Sequence, residues 1–326
     1  VYKMRTIEEL QEIAIRIIEE ESFLASPNNL YEPIEYAMHQ GGKRIRPLFA
    51  LMAADLFSGD IEKAKPAAIA IEVLHNFTLL HDDIMDKSPL RRGMPTVYNK
   101  YDTNTAILSG DTMFAKAFTY LLKADKTQIH DLVEVFTNAS IEVCEGQAMD
   151  MCFEERDDVR IEEYIEMIRL KTGVLLASAL KLGAITALAN KKDMDYIYDF
   201  GLNIGIAFQL QDDILDCWSN LEDFGKVTGT DIADNKKTFL YLKALETGTK
   251  EEREELLYLY SNPVETQTKQ ERVMAIYEKL NIRSISKDLM NIYNEKAKYS
   301  LEKIAVKDDN KTNLIKFADK LMHRNK

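Results

Sequence analysis

HNFTLLHDDIMDKSPLRRGM, residues 75–94, is the stretch whose reading decides the fold. An apolar run ends in three aspartates, Asp82, Asp83 and Asp86, and two arginines, Arg91 and Arg92, follow closely. On a helix Asp82 and Asp86 lie one turn apart and share a face. Carboxylates held together in this way repel each other unless a cation compensates them. Magnesium suits that role, being a hard ion commonly held by one or two carboxylates together with substrate phosphates. A near copy, QLQDDILD, stands at 209–216. One such motif is easily a surface acidic turn. Two, each preceded by an apolar helical run and followed by basic residues, are hard to dismiss.

Working outward, residues 66–86 form a long helix that is apolar over much of its surface, hence central rather than superficial. At about 100° per residue, His75, Thr78, Asp82 and Asp86 fall on one stripe and Phe77 falls off it. His75 therefore looks up the same cavity as the carboxylates, or is simply a satisfied core histidine. Ser88-Pro89 ends the helix and leaves Arg91-Arg92-Gly93 on a loop. The arginine fork suits bidentate phosphate contacts, although charge compensation alone is the blander account. The second acidic set lies on a helix over about 195–217, with Gln209, Asp212, Asp213 and Asp216 inside an arc of roughly 100°.

Further basic groups are spread along the chain. In GGKRIRP, residues 41–47, a glycine hinge is followed by Lys43, Arg44 and Arg46, and an apolar helix begins near Pro47. A basic cluster at a helix start suits an anion, because free amides and the dipole assist the side chains. A solvated basic turn is the alternative. Lys171, Thr172 and Gly173 sit together inside a helix of about 161–188, where the glycine allows close approach and the other two bind an oxyanion or face solvent. Glu142, Glu145, Gln147 and Asp150 read as mixed core and cavity wall. The loop of 223–240, with Lys226, Asp231, Lys236 and Lys237, is placed to fold over a phosphorylated ligand.

The bulk properties agree with a single all-helical domain over residues 1–326. Seven prolines and thirteen glycines are few, and 46% of the residues are apolar. Helices are expected over 6–21, with a Thr6-x-x-Glu9 capping signal, and over 103–123, 129–152, 250–260, 268–302 and 310–323. A break is expected from Asn28 to Pro33. Apolar stretches are interrupted by charge too soon for an integral membrane segment. Charge at Lys3 and Arg5 leaves no visible leader. Three cysteines without metal-ligand spacing or a disulfide framework fit a reducing cytoplasm. A net charge of −12 argues against a general nucleic-acid binder.

Assembled, these features describe two acidic triads facing across a cavity in a helical bundle. Basic groups come from both halves of the chain, and the wall between is apolar. That suits a magnesium-bound diphosphate with a hydrocarbon tail, and metal-assisted ionisation of an allylic diphosphate. Over nearly its whole length the chain resembles the trans-isoprenyl diphosphate synthases, or polyprenyl synthetases. The resemblance rests on GGKRIRP at 41–47, HDDIMDKSPLRRG at 81–93, KTG at 171–173, FQLQDDILD at 208–216 and GKVTGTDIADNKKT at 225–238.

The resemblance implies an isoprenoid synthase-type helical bundle around a deep central cavity, and a homodimer. It implies that Asp82, Asp86 and Asp212 coordinate three magnesium ions, with Asp83, Asp213 and Asp216 supporting them. The allylic diphosphate would meet Arg91, Lys171, Lys226 and Lys236, with Thr172 and Gln209 at the reacting end. Isopentenyl diphosphate would meet Lys43, Arg46, His75 and Arg92, and its C4 would attack C1 of the allylic cation head-to-tail. Phe77 and Thr78, five and four residues before the first metal aspartate, would help to floor the tail pocket. No two-residue insertion interrupts DDIMD. The pattern looks most like a geranylgeranyl diphosphate synthase, with farnesyl and longer polyprenyl products as alternatives. A terpene cyclase lacks the second basic set, and head-to-head condensation does not explain GGKRIRP with RRG. A non-catalytic helical partner subunit is the reading from a different class, and it predicts no turnover.

Overall fold

The computed structural model describes residues 4–219 and 229–322. In chain order its helices are α1 (Ile7–Glu19), α2 (Asn28–Met38), α3 (Ile45–Leu56) and α4 (Ile61–Met85). A small hairpin, β1 (Leu90–Arg91) with β2 (Met94–Pro95), precedes α5 (Val97–Lys100), α6 (Thr103–Leu121) and α7 (Ile129–Glu154). Next come α8 (Ile161–Ile168), a π-helical turn (Arg169–Gly173), α9 (Val174–Thr186) and α10 (Lys191–Trp218). The remainder is α11 (Thr230–Ala233), α12 (Phe239–Thr247), α13 (Lys250–Ser261), α14 (Thr266–Lys279), α15 (Ile282–Glu302) and α16 (Asp308–Met322). The chain divides into two compact units, residues 1–140 with 175–198 and 302–314, and residues 141–174 with 199–301 and 315–326.

Local chemistry explains most boundaries. Thr6 caps α1 by accepting from the Glu9 amide at 3.2 Å, and the Glu9 carboxylate accepts from the Thr6 amide at 2.7 Å, the expected reciprocal box. The expected break at Asn28–Pro33 is instead the start of α2, with Pro33 inside the helix. Burial of Ile34, Ala37 and Met38 outweighs the hydrogen bond that the proline removes. The helix expected over 268–302 is interrupted at Asn281, whose φ of 54° turns the chain between α14 and α15.

In the first unit α4 is central. Every residue from Ala67 to Leu74 is buried, and alanines at 67, 68 and 70 let α3 and α6 pack closely against it. The one charge in that run, Glu72, meets the Arg44 guanidinium at 2.7 Å, both side chains being buried. α9 approaches α3 at Gly183, where an added Cβ would lie 2.0 Å from the Ala50 carbonyl oxygen.

In the second unit two close crossings fix the π turn. A Cβ on Gly205 of α10 would sit 2.4 Å from the Gly173 Cα, and one on Gly146 of α7 would sit 2.5 Å from the Lys171 amide nitrogen. The backbone that carries Lys171 and Thr172 is therefore held between two helices with no room for a methyl group. The substitution Gly205→Ala should destabilise the protein by roughly 1–3 kcal/mol through overpacking, read as a fall in Tm. An unchanged Tm would mean that α10 does not approach the π turn this closely.

Candidate active site

Both acidic motifs lie at the C-terminal ends of long helices, Asp82 to Asp86 closing α4 and Asp212 to Asp216 near the end of α10. Neither helix has a lysine or arginine in its last turn. Anionic side chains there face the negative end of the helix dipole, which raises their demand for a cation. Hard oxygen donors in that setting fit magnesium.

Among the described residues, however, neither motif gathers three donors within 4.8 Å of one another. The one group that does, His130, Asp131 and Glu134 on α7, is fully exposed and belongs to neither motif.

In the first unit Asp82 is half-buried and Asp86 exposed, whereas Asp83 is buried. Asp83 receives the Arg91 fork: Nε donates at 2.9 and 3.0 Å, and Nη2 at 2.7 Å. Burial still holds the Asp83 carboxyl above the usual carboxylate range, against the pull of Arg91. Sequence reading gave Arg91 a diphosphate; the structure gives part of its fork to Asp83. The loop expected at Arg91-Arg92-Gly93 is a tight hairpin, with φ of 52° at Arg92 and 77° at Gly93, the positive pair that a two-residue β-turn demands.

That turn delivers Arg92 to the glycine loop. Its Nη1 donates to the Gly41 carbonyl, and a Cβ on Gly42 (φ 123°) would lie 2.7 Å from the guanidinium carbon. Arg46 joins the same cluster. Its Nε is buried without a hydrogen-bond partner, and burial brings its pKa down to about 10, with Glu72 opposing and Arg92 adding to the fall.

His75 is pushed well below the ordinary histidine value, first by burial and then by Arg46, Arg92, Arg91 and Arg44. It is a neutral imidazole at neutral pH. Four arginines therefore surround His75; among the described residues, buried carboxylates match Arg44, through Glu72, and Arg91, through Asp83, while Arg46 and Arg92 have none. Lys43 is exposed at the edge of this group. Such a cluster is relieved by a polyanion.

In the second unit Lys171 pairs with Asp150 at 2.7 Å, and Lys236 reaches Glu154 at 2.9 Å and Asp150 at 3.8 Å. Thr172 Oγ1 donates to Gln209 Oε1 at 3.1 Å, and Gln209 Nε2 donates to Asp213 Oδ1 at 3.2 Å. The Tyr164 hydroxyl donates to Asp213 Oδ2. Burial, then Asp231, drives the Asp213 carboxyl well up, while the hydrogen bonds from Tyr164 and Gln209 pull it back.

Asp216 accepts from Thr230 Oγ1 at 2.6 Å and from the Asp231 amide at 3.0 Å, so it anchors the start of α11. Asp212 is half-buried. Lys226 lies outside the described residues. Tyr164 and Glu154 were missed as members of this site. Tyr164 sits in an amphipathic helix like any packed aromatic, and Glu154 opens the charged run 154–160, which reads as solvated.

Comparison with known proteins gives these arrangements a context. The family model described as polyprenyl synthetase matches residues 27–280. A geranylgeranyl diphosphate synthase of Sulfolobus acidocaldarius is 45% identical over 229 residues, covering 69% of this chain and 69% of that protein. A geranylfarnesyl diphosphate synthase of Natronomonas pharaonis is 40% identical over 265 residues, 76% of this chain and 77% of that protein. The crystal structure of a geranylgeranyl pyrophosphate synthase superposes with a TM-score of 0.93 at 42% identity, covering 98% of this chain and 99% of that one.

The Asp83–Arg91 pair generates a pH-dependent prediction. A raised folded-state carboxyl value means that the folded protein holds the proton more tightly than the unfolded chain does. The associated stability is present at low pH and is lost as pH rises through the raised value. Replacing Arg91 by Ala removes the group that pulls this value down. The stability gap between wild type and R91A should therefore widen from acid to neutral pH, reaching roughly 1–3 kcal/mol. Adding Asp83→Asn should flatten that pH dependence. Denaturant melts across pH check this, and a pH-independent gap would exclude Asp83 as the cause.

Proposed function

The chain belongs to the polyprenyl synthetase family, and from that premise we propose that its main product is geranylgeranyl diphosphate. It is a trans-prenyltransferase that condenses isopentenyl diphosphate with allylic diphosphates. In the proposed course the C1–O bond of the allylic diphosphate ionises and C4 of isopentenyl diphosphate attacks C1. The proton then released from C2 passes to the departing diphosphate.

The cluster of Arg46, Arg92 and Lys43 around neutral His75 would hold the isopentenyl diphosphate. Lys171, Lys236, Lys226 and the remaining donors of Arg91 would hold the allylic diphosphate, and Thr172 and Gln209 would meet its reacting carbon. Asp82, Asp86 and Asp212 would hold magnesium, three ions with the allylic diphosphate bound. When bound, the metal neutralises charge on the leaving diphosphate. The assembly proposed is a homodimer. Its location would be the cytoplasm, in keeping with a sequence whose three cysteines form no evident disulfide framework.

The observation that carries the product length is an aromatic ladder. Phe77 on α4 meets Phe114 on α6 at a ring-centroid distance of 5.4 Å; Phe114 meets Phe118 at 5.4 Å, and Phe118 meets Phe136 on α7 at 5.0 Å. Interlocked rings of this kind make a stiff wall below the first aspartate motif. Thr78 beside it turns its hydroxyl back to the His75 carbonyl at 2.8 Å.

The test is incubation with isopentenyl diphosphate and five-, ten- or fifteen-carbon allylic primers, with and without magnesium, reading product length directly. A twenty-carbon product should dominate. Phe77→Ala should extend it, and Asp82→Ala should abolish turnover in folded protein by about a hundredfold or more. A twenty-five-carbon or longer product from the wild type would refute the limiting role of Phe77. Near-normal turnover of D82A would remove the metal assignment.

A further inference from the structure

The hydrogen-bonded run from Tyr164 to Thr172 has a direction that the individual residues do not choose. Tyr164 and Asp213 are 2% and 3% exposed, so their hydrogen bond is shielded from water. Both Asp213 oxygens are taken by donors, the Tyr164 hydroxyl on one and Gln209 Nε2 on the other. With its NH2 group committed to Asp213, Gln209 has only its carbonyl to offer Thr172, and the Thr172 hydroxyl donates to it. A hydroxyl carries one proton and two lone pairs. Once that proton points at Gln209, only lone pairs remain on the other side of Thr172. An amide or hydroxyl could otherwise turn either way, and Asp213 is the member of the run that breaks the tie.

We propose that Tyr164 is a positioning residue for prenyl transfer: by donating to Asp213 it locks the polarity of the Asp213–Gln209–Thr172 run, so that electron-rich oxygen faces the reacting carbon. This rests on the placement of Thr172 and Gln209 at the allylic reacting end proposed above. Tyr164 stands back from that end and acts through Asp213. The chemical sense of the polarity is direct. A carbon that becomes cationic as its C1–O bond breaks is stabilised by lone pairs and destabilised by a hydroxyl proton aimed at it.

The same elements explain why the lock is stiff. α8 brings Tyr164, the adjoining π turn brings Thr172, and the glycine crossing holds that turn against α10, which brings Gln209 and Asp213. A mid-helix π turn at such a position is typical of functional sites.

The deciding experiment uses Tyr164→Phe, which keeps the ring and removes the hydroxyl, in a cycle with Thr172→Val. In Y164F kcat should fall about tenfold, with the KM for isopentenyl diphosphate unchanged. In the T172V background the same change should cost less than about twofold, because the polarity no longer has a reader. A second readout is independent of turnover. In protein labelled with 15N-glutamine, the Gln209 side-chain amide, identified by its loss in Gln209→Leu, should be a narrow, slowly exchanging pair. It should broaden in Y164F and also in Asp213→Asn, whose amide can meet Gln209 with either end.

Unchanged kcat in Y164F, a full tenfold loss persisting in T172V, or an undisturbed Gln209 amide would each overturn the proposal. A wild-type protein that elongates no primer would instead overturn the functional reading, and the amide signal would still judge the lock.

Discussion

The structure is organised by an electrostatic liability that it contains twice. Carboxylates at the C-terminal end of a helix meet the negative end of its dipole, and each motif places three aspartates there. Each unit manages part of that charge internally. Asp83 takes the Arg91 fork and so ties the hairpin to α4. Asp213 takes donors from α8 and α10, and Asp216 takes the start of α11. The acidic ends thus serve as attachment points for the elements that carry the basic groups. In the proposed function, a divalent ion with phosphate ligands would complete what these contacts begin.

The basic side shows the same logic with opposite sign. Arg44 is neutralised by Glu72 inside the core, which leaves Arg46 and Arg92 as cations that disfavour each other beside a neutral His75. A structural cluster would be expected to bring in a carboxylate for each guanidinium. Here Arg92 is held by backbone geometry, through its positive-φ hairpin and its bond to the carbonyl of Gly41 in the glycine pair. Backbone held in uncommon conformations to gather like charges is the arrangement expected of a polyanion site.

Much of this was legible in the sequence because it depends on local rules. Helical periodicity placed α4, α6, α7 and α10 within a few residues, and the Thr6–Glu9 box marked the start of α1. The acidic and basic motifs were legible for the same reason, since their residues lie within one or two turns of one another. What was not legible depends on contacts between distant segments. The π turn interrupts a run that reads as one helix, and its cause is packing against Gly205 and Gly146. α2 forms through Pro33 because its apolar face is buried. Tyr164 has no signature in its own neighbourhood; its partner stands 49 residues away.

Phe77 shows where helical arithmetic stops being sufficient. On an ideal helix it lies off the stripe of His75, Thr78 and Asp82, which makes it a poor candidate for a floor. Its contacts lie across the helix pair instead, with His81 one turn above at 4.8 Å and Phe114 on α6 at 5.4 Å. The relevant object is then the whole ladder through Phe118 to Phe136, supported from α6 and α7. A wall built this way resists in proportion to the number of rings that must move together, because each ring is fixed by the next. Removing the first ring opens space only as far as Phe114. Under the proposed function, the limit on product length lies in this whole ladder rather than in Phe77 alone.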